Sequence, residues 1–288
     1  MKKNKNRRFI CVLITVLACT LCFVLQWGGY TWLKQREARF VSPINEENSL
    51  IRLQAAHKIE APIVFIGSSV TERLLPRKSS ASVAMSHSSF VYVNEFMETR
   101  YQYKPGTVYV LEVNNMFNNR NIELTERTNQ WDFDLFRDSS HFSFAAKPAN
   151  LLVSFVFYFL EHMKHETDAQ YTDIPAPIVN MDAVPDITEE QKKEWAHLIE
   201  GIEVLKSRGG RICFVNHPCL KTSRFFKANY KRGCILAKYM DIPVLNYNSP
   251  EWVERLEFTD PIHLNSRRKS TVMYMNTAAN SAALIAVD

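Results

Sequence analysis

The chain has 288 residues, 46% hydrophobic and 23% charged: enough apolar material for one large domain or two small ones, and too much for disorder over most of its length. Its net charge of +5 sits at one end, where Lys2, Lys3, Lys5, Arg7 and Arg8 carry five positive charges with no acid among them. The other thirty Lys and Arg face thirty Asp and Glu, and a neutral remainder offers no footprint for phosphate backbones, so no nucleic-acid partner is expected.

Phe9 to Leu25 is an uncharged, almost wholly apolar run, and charge stays absent through Leu33. That length spans a bilayer, and the preceding cations predict a cytoplasmic segment at 1–8, a transmembrane anchor at 9–33 and the rest of the chain outside the membrane. Trp27, Tyr30 and Trp32 stand where an aromatic belt forms at the far interface. A cleaved signal peptide has the same shape, although no small-x-small site closes the run. Val16-Leu17-Ala18-Cys19 also reads as a weak lipoprotein box, and a buried soluble helix is the third reading. Cys11, Cys19 and Cys22 fall in this segment, which leaves Cys213, Cys219 and Cys234 outside. An odd number makes no complete disulfide framework; a Cys219–Cys234 bridge is permitted but not required.

Residues 34–60 read as a polar connector. Pro62 then opens Ile63-Val64-Phe65-Ile66, an apolar run ending at Gly67, the pattern of a strand buried on both faces. Thr107 to Val113 repeats the pattern after the turn pair Pro105-Gly106, and Arg211 to Val215 repeats it after Gly209-Gly210. Between the last two, Thr188-Glu189-Glu190-Gln191 is a capping box, with Trp195, Leu198, Ile199, Ile202 and Leu205 following at helical spacing. Strand, helix and strand at these lengths predict an α/β fold with a mainly parallel sheet, whose sites form at the carboxyl ends of strands.

Residues 118–187 fit this scheme least and are expected as an insertion. They hold the acidic and aromatic Trp131-Asp132-Phe133-Asp134 and the apolar run Leu151 to Leu160, which is too short to span and suits either a core or cap helix or a helix at the membrane surface. Ser270 to Ala286 reads as a packing helix.

Chemistry concentrates at two places. Gly67-Ser68-Ser69-Val70-Thr71-Glu72 follows the first strand, where a serine is presented at the top of the sheet and N–H groups of a following helix face a developing oxyanion. Small polar residues there also serve as plain helix caps. Near the end, Asp260-Pro261-Ile262-His263-Leu264-Asn265 places a carboxylate three residues before an imidazole, with Pro261 in the first turn of a helix capped by Asp260. An aspartate holding a histidine that deprotonates a serine is the arrangement of nucleophilic acyl transfer. Two further groupings have ligand chemistry: His162 and His165 share a helix face but lack further ligands, and a strand end beside Pro218 explains Cys213, His217 and Cys219 more simply.

Together these segments resemble the SGNH, or GDSL-like, hydrolase superfamily over about residues 61–280. GSSVTERL is similar to the family's first block, with Ser68 in place of its aspartate and Ser69 at the nucleophile position. DPIHLN matches the last block, with Asp260 and His263, and Asn114 in Asn114-Asn115 falls on the family's oxyanion-hole asparagine. Glu112 stands where that block has glycine, and Met85-Ser86-His87-Ser88-Ser89 occupies the place of a glycine that donates a backbone N–H to the oxyanion.

The resemblance implies a three-layer, flavodoxin-like sandwich over 61–288, with Ser69, His263 and Asp260 catalytic and Asn114 and the N–H groups of Ser69 and Ser88 forming the oxyanion hole. It implies no metal or organic cofactor. As partners it implies an acylated glycan and envelope-biosynthesis proteins, beside the lipid bilayer around the anchor. Both an esterase or O-acetyltransferase and a catalytically inactive accessory member of an envelope assembly fit it.

Overall fold

The computed structural model describes residues 2–36, 40–43, 47–48, 50–51, 54, 61–74, 80–84, 104–117, 143–162, 169–220, 224–265 and 268–287. In chain order the elements are α1 (Lys2–Gln35), β1 (Ile63–Gly67), α2 (Ser69–Glu72), β2 (Ser80–Ala84), β3 (Val108–Glu112), a 3-10 turn (Phe144–Ala146) and α3 (Pro148–His162). There follow α4 (Glu189–Glu194), α5 (Ala196–Ser207), β4 (Arg211–Asn216), α6 (Arg224–Met240), β5 (Val244–Asn246), α7 (Pro250–Val253) and α8 (Lys269–Ile285).

They form two compact units, one of Met1–Ile51 with Gln130–Lys164 and one of Arg52–Asn129 with His165–Asp288. The region anticipated as one insertion at 118–187 is therefore shared between the units, and the connector at 34–60 is divided near its middle.

In the first unit, Ile10–Gln35 of α1 is 26 residues of mean hydropathy 2.4 with none of its most apolar window buried, long and apolar enough to cross a membrane. Its last turns pack on α3: the Trp32 ring stacks on Phe155 at 5.4 Å and meets Tyr158 edge-on at 5.0 Å. Gln26 Nε2 donates to the Ala146 carbonyl at 2.7 Å, which satisfies a polar group of the apolar helix.

The second unit is a five-stranded sheet in the order β2-β1-β3-β4-β5, every pairing parallel. Strand alternation explains its two apolar faces. Ile63, Phe65, Val108, Val110, Cys213 and Val215 join Trp252, Tyr274, Met275, Ala278 and Ala282 in one core cluster under α8. Val64, Ile66, Tyr109, Leu111, Ile212 and Phe214 are just as buried on the other face, where α5 and α6 pack on β4. Gly210 is required there because a Cβ would sit 2.6 Å from the Tyr109 ring.

Ser80–Ala84, which the sequence does not mark as a strand, is β2, because register with Ile63–Gly67 buries Ser80, Val83 and Ala84. Two local expectations are corrected. The helix after Thr188, whose capping box is present, is broken at Trp195 into α4 and α5. No helix begins at Pro261; the segment is a bend in which Asp260 Oδ1 accepts from the backbone N–H groups of Ile262 and His263, each at 3.0 Å.

Candidate active site

The order 2-1-3-4-5 places a topological switch point between β1 and β3, the position at the carboxyl ends of the strands where open α/β sheets bind ligands. β1 ends at Gly67, so Ser68 and Ser69 emerge at that point. Ser68 has extended backbone and caps the single turn of α2, its hydroxyl accepting from the Val70 N–H at 3.3 Å. With only four residues, α2 contributes N–H groups at this turn and little helix dipole.

The loop from Phe258 to Leu264 returns to the same place. His263 Nε2 lies 3.1 Å from Ser69 Oγ, and its Nδ1 lies 2.8 and 2.9 Å from the two Asp260 oxygens. The carboxylate fixes the tautomer, with Nδ1–H directed at Asp260 and Nε2 accepting from the serine hydroxyl. Partial burial works to raise the Asp260 carboxyl, but the Ile262 N–H and the His263 ring outweigh it and hold its pKa below the ordinary value. Arg73 adds a long ion pair to Asp260 at 3.8 Å, exposed and therefore weak.

Beneath this line lies a polar network that sequence reasoning missed. Glu112, buried at the end of β3, receives four hydrogen bonds from the nucleophile turn: Ser68 N at 2.9 Å, Ser68 Oγ at 2.6 Å, Thr71 N at 3.1 Å and Thr71 Oγ1 at 2.5 Å. Donor accounting orients the rest. Thr71 gives its hydroxyl proton to Glu112 and so accepts from His217 Nε2 at 3.0 Å, which leaves Nδ1 to accept from the Tyr274 hydroxyl at 2.5 Å. His217 is wholly buried, and burial pushes its pKa down to about 3, so the ring is neutral. Two of the departures from the pattern of that resemblance thus meet in space: the carboxylate absent at Ser68 is supplied by Glu112 from the neighbouring strand. Gly67 is the residue that leaves room for it, since a Cβ there would collide with the Glu112 carboxylate and Thr71 Oγ1.

Asn114 does not face the turn. It is fully buried, accepting from the His217 N–H at 2.9 Å and donating to the His217 carbonyl at 3.2 Å, so its carboxamide is engaged with backbone. Asn115 is the asparagine at the turn, donating to Ser68 Oγ at 2.8 Å. Ser88 and His87 lie outside the described residues, as do His165 and Trp131 to Asp134. Burial pushes the Cys219 thiol up to about 12 and Cys213 higher still, far from a reactive thiolate. Cys219 and Cys234 are both unpaired.

A half-open cavity of about 180 Å³ lies at the carboxyl ends of β4 and β5, lined by Asn216, Asn246, Asn248, Phe226, Lys227 and Tyr230. Phe226 also packs with Val70 and Ile262, the chain neighbours of Ser69 and His263.

No protein-family model and no curated protein matches the sequence. Among solved structures, the chain is similar to a Bacteroides fragilis protein described provisionally as an acylhydrolase. That match has 9% identity and a TM-score of 0.38, and covers 80% of this chain and 95% of the other. It is also similar to a Streptococcus pneumonia protein described provisionally as a platelet activating factor, with 11% identity, a TM-score of 0.38 and coverage of 80% and 88%. The second unit of this chain is a parallel α/β sheet of flavodoxin-like strand order with Ser69, His263 and Asp260 in one hydrogen-bonded line at its switch point, the geometry that resemblance to SGNH hydrolases implies.

Proposed function

We propose that the chain is a membrane-anchored serine acyl-ester hydrolase or O-acyltransferase of the SGNH type, acting on an O-acetylated envelope or exported polysaccharide. The observation that carries this reading is the continuous line Asp260–His263–Ser69. Ser69 Oγ attacks the ester carbonyl while His263 Nε2 takes its proton and then delivers it to the departing alcohol; Asp260 holds the imidazole and stabilises its cationic form. The oxyanion is met by the Ser69 N–H, and Asn115 takes the part that the resemblance gave to Asn114. Water then releases the acyl group in a hydrolase, and a sugar hydroxyl takes it in a transferase. Asn216 Nδ2 donates to Asn246 Oδ1 at 2.8 Å and Asn248 Oδ1 accepts from the Cys219 N–H at 3.1 Å, so the carboxamides lining the nearby cavity bond mainly within the protein, and the sugar-bearing substrate is taken from the resemblance.

The cations in the first turns of α1 support a cytoplasmic amino end, a single-pass anchor and an extracytoplasmic sheet domain. Release of nitrophenol from nitrophenyl acetate by the full-length protein in detergent tests the reading against Ser69→Ala and His263→Ala. Loss of turnover in both variants supports it, whereas wild-type turnover equal to both overturns it and leaves a non-catalytic accessory protein. Acceptor sugars added to the same assay separate transfer from hydrolysis.

A further inference from the structure

Helix α3 turns its polar side chains inward. Its buried face carries Asn150 and Ser154 beside Leu151 and Tyr158, with Asn150 Nδ2 donating to the Phe144 carbonyl at 2.8 Å and to Glu47 Oε2 at 3.0 Å. Ser154 Oγ accepts from the Val41 N–H at 2.8 Å and donates to the Asn150 carbonyl at 2.6 Å. Its outward face carries Leu152, Val156 and Phe159, which are 67%, 52% and 58% exposed and spaced to form one stripe. A helix at a protein–water boundary has the reverse polarity. Fifteen residues rise about 22 Å, too short to cross a bilayer core of about 30 Å, so the helix cannot be a second span.

Its position within the unit names the occupant. α3 packs against the last turns of α1, through Trp32 on Phe155 and Tyr158 and through Gln26 on Ala146, and Gly29 of α1 lies close enough that a Cβ would touch the Phe155 ring at 3.2 Å. On α1 the neighbouring Phe23, Val24, Leu25 and Trp27 are themselves exposed at 43–65%, so the stripe of α3 continues an apolar surface that lipid covers if α1 spans. We infer that α3 is a lipid-facing helix, its Leu152, Val156 and Phe159 immersed among acyl chains in the leaflet at the carboxyl end of α1. It thereby makes a second membrane attachment beside the anchor. Buried Asn150 and Ser154 meet their polar requirements within the protein, as the hydrocarbon region demands, while the outward face presents none.

This rests on the anchor reading of α1, and photolabelling separates the two. Full-length protein in vesicles of phosphatidylethanolamine and phosphatidylglycerol is irradiated with a membrane-partitioning aryl diazirine, and the labelled residues are mapped. Label on Leu152, Val156 and Phe159 as well as on Ile10 to Leu25, and absent from Asn150, Ser154 and the buried positions of α8, is the expected result. Label on the anchor but not on α3 overturns the inference alone, and chemical cross-links between copies through α3 in that case identify a second copy as the cover. Absence of label from both overturns the anchor and this inference with it.

Discussion

The imidazole Nε2 of His263 lies 3.1 Å from the hydroxyl oxygen of Ser69, 194 positions earlier in the chain. β1 places the serine at the switch point of the sheet, and the bend held by Asp260 brings the imidazole back to it. Replacing Asp260 by Asn removes the acceptor that selects the productive tautomer. Asp260→Asn is expected to lower kcat on nitrophenyl acetate by about 10²–10⁴-fold, with KM little changed. Because the carboxyl is held below its ordinary value, acid titration of activity above about pH 4 should not report Asp260.

Glu112 collects four hydrogen bonds from the two residues flanking Ser69 and Val70. Glu112→Gln turns an amide donor toward groups that are donors themselves, so the turn should shift and kcat fall by about tenfold to a hundredfold, with KM near wild type. Moving the carboxylate back should restore function: Glu112→Gly with Ser68→Asp is expected to exceed Glu112→Gly alone in kcat. Equal rates for these two would show that packing, and not the charge, was lost.

Gly67→Ala places a methyl group on the Glu112 carboxylate and Thr71 Oγ1. Both partners are hydrogen-bonded and buried, so relief requires backbone movement at the nucleophile turn. A loss of about 1–3 kcal/mol in denaturant unfolding is expected, together with reduced turnover.

His217 is neutral in the fold, with a pKa near 3 against 6.5 unfolded. Between those values the unfolded chain binds more protons, so stability is complete above about pH 6.5 and falls with acidification towards pH 3. From pH 7 to pH 5 the loss from this residue is about 2 kcal/mol. The groups around the ring, Thr71, Tyr274, Phe65 and the Asn114 carboxamide on its backbone, carry no charge, and the carboxylate of Glu112 lies beyond Thr71. Denaturant midpoints measured at both pH values for wild type and His217→Gln should show a shallower pH slope in the variant.

Asn114→Ala leaves the buried His217 N–H and carbonyl without their carboxamide partner. It is expected to cost about 1–3 kcal/mol of stability. Asn115→Ala, at the partly buried turn, should act on kcat more than on stability. Urea unfolding and kinetics on the two variants separate these roles.

Much of this architecture was legible in the order of residues. Continuous apolar runs ending at glycine, or preceded by Pro-Gly or Gly-Gly, marked β1, β3 and β4, because a strand buried on both faces needs no alternation. β2 and β5 were not marked. Ser80–Ala84 is half polar and Val244–Asn246 only three residues long, and each becomes a strand through the neighbour it pairs with. Thr188 was legible as a cap, but the break at Trp195 was not, since helical spacing continues across it.

What the sequence by itself determined was the apolar segment at the amino end, the α/β class, and Ser69, Asp260 and His263 as residues whose types and local spacing point to one chemistry. These are properties of chain neighbours, set by hydrophobic periodicity and turn chemistry. Only the tertiary structure decided that Asn114 is enclosed while Asn115 meets the turn, that Glu112 supplies the carboxylate missing from Ser68, and that α3 turns its polar residues inward. Each of those depends on strand register or helix rotation, which arise when distant segments pack and bury their surfaces together.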